Sequence, residues 1–583
     1  MFNKSTFSNY IGYLIALIFF ILFFFVFKLQ IVENRKYKSI AEKNIVRIQT
    51  IYPTRGEIYD RKYRPIALNK PSYNLYITLG KIIDKEKVVK FVSENFEKES
   101  TEIEKIIHEN RYRSYQDILI IENIPFEKMV IASEKFNYYP ALSFKAEKVR
   151  EYYSINHFIG YTGRITENEY ANLREKGYSI NSNLGKTGLE KYYEDILRGK
   201  NGQQVLQVDA NGKNLEFFKH NLQTTPQNGD DLILTIDNDL QEYISSIFPK
   251  NKKGSIVVMD IKSGGILAYV SKPDFDSNLF TGGISAKQWD NLITDKDKPM
   301  LDRVIHGTYP PGSVYKPVIA SLGLEEGVID SNTKLAKCEG GLWFGNKYFK
   351  CWFEKGHGRL SIVDAIKHSC DVFFYDLSTK LSIEQLNKYN RQNFFAIRTG
   401  VDLPGERKGF FPTRKWYIEN YGKYVGILGQ KVNLGIGQGE VLVTPLQICA
   451  YYSALGNDGT WKQPHLLDKR IEAKNTYKNV IEEKKLPISK KNLKLIQHSL
   501  YVTVNETYGT GGAARIDGIK VYGKTGSAEN HMGKATHSWF SGYAKCEKFE
   551  IGFNVFVENG GHGGSVSAPI ARKLISHYYE IIE

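Results

Sequence analysis

The chain has 583 residues, of which 42% are hydrophobic, and it carries a formal net charge of +15 at pH 7. A chain of this length and apolar content can bury several cores, so we expect a globular protein of more than one domain. The positive charge comes mostly from scattered lysines without a recognised nucleic-acid motif, which argues against a nucleic-acid-binding protein. A solvated lysine-rich surface explains the charge, and attraction to an anionic membrane or a phosphorylated substrate is the alternative.

One long apolar segment lies near the start of the chain, where residues 10–27 (YIGYLIALIFFILFFFVF) contain no charge. At roughly 1.5 Å per residue, a helix of this length reaches about 27 Å, close to the roughly 30 Å hydrocarbon core of a bilayer. No small-residue cleavage site follows the segment. We therefore predict an uncleaved membrane anchor over residues 10–28, preceded by a cytoplasmic tail of residues 1–9.

The rest of the chain falls into two parts that differ in their sequence patterns. Residues 46–225 mix short strand-like pieces with charged helical stretches such as residues 97–110. Further on, four apolar runs are typical of strands, at residues 255–260, 266–271, 538–544 and 550–557. They predict an antiparallel sheet, and residues 568–582 have the spacing of a helix that covers one of its faces. The fold class expected from these patterns is α+β.

A serine and a lysine lie three residues apart in YPPGSVYKP at residues 309–317. On one helical turn this spacing brings the amine of Lys316 within reach of the hydroxyl of Ser313. A lysine that is desolvated or close to another cation has a lowered pKa and can take the proton from a serine. The preceding Pro-Pro-Gly puts Ser313 at a helix N-terminus, where backbone N–H groups can face an oxyanion. Pro317 is a complication, because it disfavours helical geometry at Lys316.

The Ser-x-x-Lys spacing alone is weak, because it recurs at residues 331–334, which we assign to an exposed turn. Lys-Thr-Gly also occurs twice, at residues 186–188 and 524–526, and the earlier copy is typical of a loop that starts a helix. One ordered set remains: Ser313-x-x-Lys316, then Ser369-x-Asp371, then Lys524-Thr525-Gly526. This is the motif order of penicillin-binding proteins and class A β-lactamases.

Other stretches extend the resemblance to nearly the whole chain, which is similar to class B penicillin-binding proteins of the elongation type. They are PTRGEIYDR (53–61), GYTG (160–163), GLEKYYE (188–194), CWFEKGHG (351–358), GIGQG (435–439) and TPLQ (444–447). An aspartate at 371, where many relatives carry asparagine, fits the elongation branch. The resemblance implies a single transmembrane helix, an elongated pedestal or dimerisation-type domain over residues 29–228, and a transpeptidase domain over residues 229–583. The last should contain a five-stranded antiparallel sheet flanked by helices.

The resemblance also implies an activity, the D,D-transpeptidation of peptidoglycan stem peptides, which needs no cofactor for its acyl-transfer chemistry. Ser313 would attack the carbonyl of the donor's penultimate D-alanine, with Lys316 as general base. Ser369 would relay a proton towards the leaving amine, and Asp371 would orient Ser369 and Lys316.

Substrate contacts are expected along the segment that carries Lys-Thr-Gly. Lys524 and Thr525 would hold the terminal carboxylate of the stem, and Gly526 and Ser527 would line the bound peptide. The backbone N–H groups of Ser313 and Ser527 would form the oxyanion hole. A β-lactam would mimic the donor and stay trapped on the serine.

Four potential metal ligands follow one another along the chain. They are Cys338, Cys351, His357 and Cys370. Three thiolates and one imidazole form a ligand set that closes a tetrahedral structural zinc site, although the spacings are longer than in zinc-finger knuckles. Buried or disulfide-paired cysteines with a surface histidine are the alternative, which an oxidising exterior would favour, but three is an odd number for pairing. Some elongation-type relatives have a metal site in this region, and His368 is a possible substitute ligand.

Three other functions stay open: a division-type transpeptidase, an enzyme that passes the acyl group to water (a D,D-carboxypeptidase or β-lactamase), and a noncatalytic scaffold or β-lactam sensor. A sensor should need a cytoplasmic signalling module, and only about nine residues precede the apolar segment. The family resemblance implies a membrane-embedded SEDS-family glycosyltransferase as partner, with elongation-complex membrane proteins nearby.

The predicted location is the bacterial inner, cytoplasmic membrane, with the catalytic domain on its outer, periplasmic side. The basic residues argue for the reverse orientation, because Lys4 precedes the apolar segment and four follow it: Lys28, Arg35, Lys36 and Lys38. We still predict an external domain, because long domains translocate largely regardless of charge and the substrate lies outside.

Overall fold

The computed structural model describes residues 4–35, 46–112, 114, 117–179, 182–208, 214–217, 224–422, 427–473, 475–530 and 533–582. The chain forms two compact units. The first unit comprises Met1–Thr54, Pro71–Val149 and Gly199–Asn228, and the second comprises Arg55–Lys70, Arg150–Arg198 and Gly229–Glu583.

The described residues form helices and strands in alternation, as expected for a mixed fold. The helices are α1 (Lys4–Phe27), α2 (Lys85–Phe96), α3 (Ser100–Glu109), α4 (Phe126–Ser133), α5 (Glu167–Leu173), α6 (Gly188–Tyr192), α7 (Glu194–Leu197), α8 (Asn238–Ile247), α9 (Ala286–Thr294), α10 (Lys316–Glu325), α11 (Ile362–Lys367), α12 (Asp371–Thr379), α13 (Ile383–Gln392), α14 (Arg414–Tyr421), α15 (Ile427–Leu434), α16 (Pro445–Gly456), α17 (Lys490–Asn505) and α18 (Ser567–Ile581). The strands are β1 (Val46–Ile51), β2 (Ile58–Tyr59), β3 (Pro65–Thr78), β4 (Asp117–Ile124), β5 (Leu142–Tyr152), β6 (Thr162–Arg164), β7 (Asn183–Gly185), β8 (Gly202–Val208), β9 (Asn214–Phe217), β10 (Asp231–Leu234), β11 (Lys253–Asp260), β12 (Ile266–Lys272), β13 (Gly341–Phe344), β14 (Lys347–Lys350), β15 (Thr460–Lys462), β16 (Leu467–Glu472), β17 (Asn475–Lys478), β18 (Glu483–Lys485), β19 (Lys520–Ala528), β20 (His537–Lys545) and β21 (Glu550–Glu558).

The predicted apolar segment is helical. Helix α1 continues into a short π-helical segment, Lys28–Val32. Gly12–Val32, 21 residues near the N-terminus, is long and apolar enough to cross a membrane, and within the described ranges it is the one helix that meets this test. None of its side chains is buried against the rest of the chain. A single N-terminal apolar helix therefore fits a single-pass membrane anchor, as predicted, and it extends a few residues beyond position 28.

The first unit has a small core of its own between strands and amphipathic helices. In it, residues 73–78 of β3 pair antiparallel with β4, and β8 pairs with β1 and β9. The apolar faces of α2 and α3 contribute Val92 and Ile103 to this core, both fully buried. The helix expected at residues 97–110 begins later, at Ser100, because Glu97 adopts a left-handed conformation that ends α2.

The second unit contains the predicted five-stranded antiparallel sheet, in the order β12, β11, β21, β20, β19. All four strands read from the apolar runs are present, and the fifth, β19, carries Lys-Thr-Gly at one edge of the sheet. Helix α18 packs with α8 on a buried cluster that includes Ile256, Phe553 and Leu574. Helix α16, buried along its whole length, contacts β11, β20 and β21. The α+β fold and the flanking helices are thus confirmed.

A buried ion network joins the chain segments that resemble the pedestal motifs. The carboxylate of Glu190 is fully buried and accepts hydrogen bonds from Arg55 Nε and Arg150 Nε, both at 2.7 Å. Arg55 also pairs with Glu194 at 2.8 Å. Nearby, a Cβ on Gly188 would lie 2.4 Å from the backbone N of Gly160, so only glycine fits this crossing. These motifs therefore hold separate segments of the second unit together.

Candidate active site

Ser313 lies on a 3-10 turn, Gly312–Tyr315, that leads directly into α10. The serine is half-buried, whereas Lys316, the first residue of α10, is fully buried. Lys316 has helical dihedrals (φ −54°, ψ −37°), so the expected conflict with Pro317 does not arise. Proline is tolerated there because the N–H groups of the first helical turn have no intrahelical partner.

The Gly-rich segment at residues 435–439 packs against the turn that carries Ser313. The N–H of Gly312 donates to the carbonyl of Gly437 at 2.8 Å. Gly437 has a φ of +72°, and a Cβ there would lie 2.3 Å from the carbonyl oxygen of Gly312. Tyr452 on α16 donates to the carbonyl of Val314 at 2.7 Å. The turn that carries Ser313 is therefore held by a backbone hydrogen bond to Gly437 and by the side-chain hydroxyl of Tyr452.

Lys316 connects the first catalytic motif to the second. Its Nζ donates to Asp371 Oδ1 at 2.7 Å, to the carbonyl of Ser369 at 2.8 Å and to Ser369 Oγ at 3.2 Å. Among the described residues, Ser313 Oγ has no side-chain hydrogen-bond partner. The amine is thus positioned by the second motif, and transfer of the Ser313 proton to it stays a prediction.

The second motif is a sharp turn at the start of α12. Ser369 has a φ of +54°, a left-handed conformation that is unfavourable for serine. The turn aims the carbonyl of Ser369 at Lys316, and Asp371 follows as the first residue of the helix. The other oxygen of Asp371 accepts the backbone N–H of Trp352 at 3.1 Å. Both carboxylate oxygens of Asp371 are therefore engaged.

The third motif lies on the edge strand β19. Lys524 is fully buried and donates to the carbonyl of Thr525 at 3.2 Å. Burial lowers the pKa of Lys524 well below its ordinary 10.5, and the cationic Lys316 lowers it further, with Asp371 acting in the opposite direction. A Cβ on Gly526 would lie 3.0 Å from a methyl of Val314 and 3.1 Å from the carbonyl of Pro311. The strand therefore packs directly against the serine's turn.

Two neighbours of this strand were not predicted. Thr525 Oγ1 donates to Thr510 Oγ1 at 3.0 Å, and Ser527 Oγ lies 3.5 Å from His562 Nδ1. Thr510 and His562 lie in loops without an apolar or motif pattern, so no sequence signal pointed to them.

The structure brings all three predicted motifs together, and the second copies of Ser-x-x-Lys and Lys-Thr-Gly lie elsewhere. Ser331 is exposed in a loop, and Lys186 pairs with Glu169 at the start of α6.

The four predicted metal ligands form one cluster. Their ligand atoms all lie within 4.8 Å of one another, and the three cysteines are buried: Cys338, Cys351, His357 and Cys370. The Sγ atoms of Cys338 and Cys351 lie 3.6 and 3.5 Å from His357 Nδ1. All three cysteines are free thiols. The disulfide alternative is therefore not what the described structure contains.

Electrostatics inside the cluster favour a thiolate. A hydrogen bond from Cys370 lowers the pKa of Cys351 far below its ordinary value, and the same contact raises the pKa of Cys370. His368 is outside the cluster, and its ring stacks on that of His357 with centroids 6.0 Å apart. Two of the ligands adjoin groups of the catalytic site, because Trp352 follows Cys351 and Asp371 follows Cys370.

Comparison with protein families matches residues 254–576 to the penicillin-binding protein transpeptidase domain and residues 50–234 to the penicillin-binding protein dimerisation domain. Peptidoglycan D,D-transpeptidase MrdA of Haemophilus influenzae is 30% identical over 618 residues, which cover 99% of this chain and 92% of that protein. The protein of the same name from Acinetobacter baumannii is 31% identical over 578 residues, 94% of this chain and 84% of that protein.

Solved structures show the same similarity. Penicillin-binding protein PBP2 of Helicobacter pylori, in complex with MreC, is 28% identical with a TM-score of 0.78, covering 92% of this chain and 100% of that chain. A chain from a peptidoglycan synthase complex, studied for the coordination of polymerization and crosslinking, is 26% identical with a TM-score of 0.73 and 98% coverage of both chains. Matched by models for both of its domains and by relatives along nearly its full length, the chain belongs to the penicillin-binding protein family.

Proposed function

We propose that this chain is a peptidoglycan D,D-transpeptidase that cross-links stem peptides during cell elongation through a serine acyl-enzyme and is inhibited by β-lactams. The observation that carries the proposal is the contact of Lys316 with both Ser369 and Asp371, one turn after Ser313 and beside the strand of Lys524. The transpeptidase family match and the names of the relatives support the same reaction.

In the proposed acylation step, Ser313 Oγ attacks the carbonyl carbon of the donor's penultimate D-alanine, and Lys316 takes the hydroxyl proton. Backbone N–H groups of Ser313 and Ser527 stabilise the oxyanion. Ser369 donates its hydroxyl proton to the leaving amine and is reprotonated by the Lys316 ammonium, whose Nζ lies 3.2 Å from Ser369 Oγ, so that Lys316 is neutral again at the end of the step. The C–N bond breaks, the terminal D-alanine leaves, and the donor remains as an ester on Ser313.

In the second step an amine from a neighbouring stem attacks the ester carbonyl. Its proton returns through Lys316 to Ser313 Oγ, and a new peptide bond joins the two stems. The Lys316 ammonium formed in each half-reaction is stabilised by Asp371 at 2.7 Å. Lys524 and Thr525 hold the donor's terminal carboxylate in the first step only, because that residue then departs.

The test of this reaction is a cross-linking assay with the full-length protein in detergent, a polymerising glycosyltransferase and lipid-linked pentapeptide substrate. Cross-linked muropeptides and one released D-alanine per cross-link are expected from the wild type, and neither from Ser313→Ala. Release of D-alanine without cross-links would identify a D,D-carboxypeptidase instead.

We also propose that Cys338, Cys351, His357 and Cys370 hold a structural Zn²⁺. In a tetrahedral site with Zn–S near 2.3 Å and Zn–N near 2.0–2.1 Å, the sulfur-to-nitrogen edge is about 3.6 Å. The two sulfur-to-nitrogen distances here are 3.6 and 3.5 Å. Support for the metal comes from this donor set alone. Bound zinc would fix the two segments that contact Asp371, and elemental analysis of protein purified without chelator should give one zinc per chain.

The proposed setting is the cytoplasmic membrane, with α1 as anchor, residues 29–228 as the pedestal and residues 229–583 as the catalytic domain on the outer side. A MreC-like scaffold and a peptidoglycan polymerase are the proposed partners, by analogy with the solved complexes of similar chains. That the polymerase is a SEDS-family glycosyltransferase is what the family resemblance implies. Co-purification with the rod-elongation polymerase, and not with a septal one, would distinguish elongation from division.

A further inference from the structure

A threonine outside the three catalytic motifs connects two of them. Thr510 lies in the segment between α17 and β19 and is half-buried. Its Oγ1 accepts the hydroxyl of Thr525, in the third motif, at 3.0 Å. On the other side, its Oγ1 and its backbone N–H donate to the carbonyl of Lys367 at 3.4 and 3.3 Å. Lys367 comes two residues before Ser369, so the side chain of Thr510 lies between the second and third motifs.

The loop that carries Thr510 is attached to the fold independently of the Thr510 side chain. Glu506 pairs with Lys367 Nζ at 2.8 Å, and the N–H of Gly511 donates to the carbonyl of Thr503 at 3.0 Å. The bond from the backbone N–H of Thr510 to Lys367 does not depend on the side chain either. Removal of the Thr510 hydroxyl should therefore leave the loop in place, so the role of this hydroxyl can be tested separately from the role of the loop.

The methyl and the hydroxyl of Thr525 have different surroundings. Both groups are bonded to Cβ, and a rotation of about 120° around the Cα–Cβ bond puts the methyl where the hydroxyl was. In the structure the methyl Cγ2 faces Gly564, where an added Cβ would lie 3.8 Å from it, and the hydroxyl faces Thr510. Because Thr525 is buried, a hydroxyl turned towards an apolar group would lose a hydrogen bond. The hydroxyl of Thr510 therefore favours the observed rotamer of Thr525.

The hydrogens of these two hydroxyls limit what Thr525 can bind. Each hydroxyl has one hydrogen, whereas a carboxylate can only accept. In the structure Thr525 donates to Thr510, and Thr510 donates to Lys367. To hold the donor's carboxylate, as the proposed function requires, Thr525 must turn its hydrogen to that carboxylate, and Thr510 can then donate to Thr525. The carbonyl of Lys367 keeps the backbone N–H of Thr510, so it is not left unpaired.

We propose that Thr510 is a positioning residue for the carboxylate contact. It fixes the rotamer of Thr525 and donates to the Thr525 hydroxyl when that hydroxyl binds the donor's terminal carboxylate. This inference rests on the proposed function. The chain of hydrogen bonds runs from Thr510 through Thr525 to the anion, and bonds in such a chain strengthen one another. Thr510 acts only through Thr525, so its effect is confined to ligands that carry the carboxylate.

The test compares benzylpenicillin with its methyl ester, which lacks the negative charge. Acylation rates with both compounds are measured by intact mass on the same preparation of full-length protein, so that unfolded molecules lower both rates equally and cancel in the ratio. The wild type should react faster with the carboxylate. In Thr510→Val, and in the smaller Thr510→Ala, the ratio should fall about fivefold, the effect of one net hydrogen bond. Thr510→Ser keeps a hydroxyl and should retain the wild-type ratio.

Two further variants separate a positioning role from a structural one. When Thr510→Val is added to Thr525→Val, the ratio should fall no further than in Thr525→Val alone, because Thr510 acts through the Thr525 hydroxyl. Thr503→Val is the matched control: it removes a buried hydroxyl that donates to the carbonyl of Ser499 at 2.7 Å within α17, and it should leave the ratio unchanged.

Three results would overturn the role of Thr510 while Ser313 is still acylated. They are equal rates for the two compounds in the wild type, a wild-type ratio in Thr510→Val and Thr510→Ala, and additive losses in the double variant with Thr525→Val. Failure of benzylpenicillin to acylate the wild type would overturn the proposed function itself.

Discussion

Two fully buried lysines lie in the candidate active site, and they differ in their partners. Lys316 is paired with Asp371 at 2.7 Å. In the described part of the chain, Lys524 has no carboxylate within ion-pair distance, and burial together with the Lys316 cation lowers its pKa well below 10.5. A buried amine without a carboxylate partner destabilises the fold whenever it must be protonated. We therefore expect Lys524 to lower the stability of the fold, a cost that its proposed role in binding the substrate carboxylate would explain.

The substitution Lys524→Met separates the stability cost of the buried amine from its proposed contact with the substrate carboxylate. Because the folded-state pKa is lowered, the unfolded chain binds this proton more readily, and the penalty grows as the pH falls below 10.5. At pH 7 we expect Lys524→Met to raise the free energy of unfolding by about 1–3 kcal/mol. Acylation by penicillin should fall at least about 100-fold, because the carboxylate contact is lost. Thermal melting and acylation rates measure both.

Lys186 in the other Lys-Thr-Gly provides the matched control. It pairs with Glu169 near the surface, so Lys186→Met should change the unfolding free energy by less than about 1 kcal/mol. Acylation should stay at the wild-type rate. A melting temperature that drops sharply in Lys524→Met would contradict the assignment of a stability cost to this amine.

At the scale of elements, the buried carboxylate of Glu190 links segments far apart in the sequence. Burial alone would raise the pKa of Glu190, but the guanidiniums of Arg150 and Arg55 outweigh it and hold the pKa below the usual 4.5. For a carboxyl group with a lowered pKa, the stabilisation is present above the unfolded value and disappears as the pH falls through the folded value.

Glu190→Gln should therefore lower the free energy of unfolding by about 3–5 kcal/mol at pH 7, because the buried guanidinium of Arg150 loses its carboxylate partner and Arg55 keeps only Glu194. The deficit relative to the wild type should shrink as the pH falls below about 4.5. Chemical denaturation from pH 7 to pH 3 measures this. The control Glu97→Gln removes an exposed carboxylate paired with Lys128 and should leave the transition nearly unchanged. A deficit that is constant over this range would show that the charge of Glu190 is not what stabilises the fold.

The cysteine cluster is joined to Asp371 in two ways. Trp352, which follows Cys351, donates its backbone N–H to the carboxylate of Asp371, and Cys370 directly precedes Asp371 in the chain. We expect the Cys370→Ala protein to lose the proposed zinc and to have a lower melting temperature than the wild type. Its acylation should be slower by about tenfold or more, because disturbing the surroundings of a metal typically costs about 10–100-fold in affinity or activity. Cys546→Ala, outside the cluster, should keep both metal and rate. Full acylation in a metal-free Cys370→Ala protein would contradict the link between this cluster and Asp371.

The elements that could be predicted are those with a local signature. The strands β11, β12, β20 and β21 appear as apolar runs, and the motifs of Ser313, Ser369 and Lys524 have fixed spacings. The left-handed turn at Ser369 has no such signature, since the hydrogen bond between its carbonyl and the Lys316 amine joins residues that meet only in the folded state. The same holds for Thr510, which reaches Thr525 from a loop.

At the scale of the whole molecule, the second unit brings together motifs that are some 200 residues apart in the chain. Strand β19 pairs with β20 at the sheet edge, and its Gly526 lies against Val314 and Pro311 at the serine's turn. Helix α16 packs on the same sheet and holds that turn through Tyr452. The turn of Ser313 and strand β19 are therefore fixed by one core, so we expect acylation to depend on the integrity of the whole second unit.

The most direct measurement is the mass of the intact full-length protein after exposure to penicillin, followed by peptide mapping. We expect the addition of one penicillin, located on the peptide that contains Ser313, in the wild type and in Ser331→Ala, and none in Ser313→Ala. A wild-type protein that gains no mass, or gains it on a different peptide, would contradict the catalytic assignment.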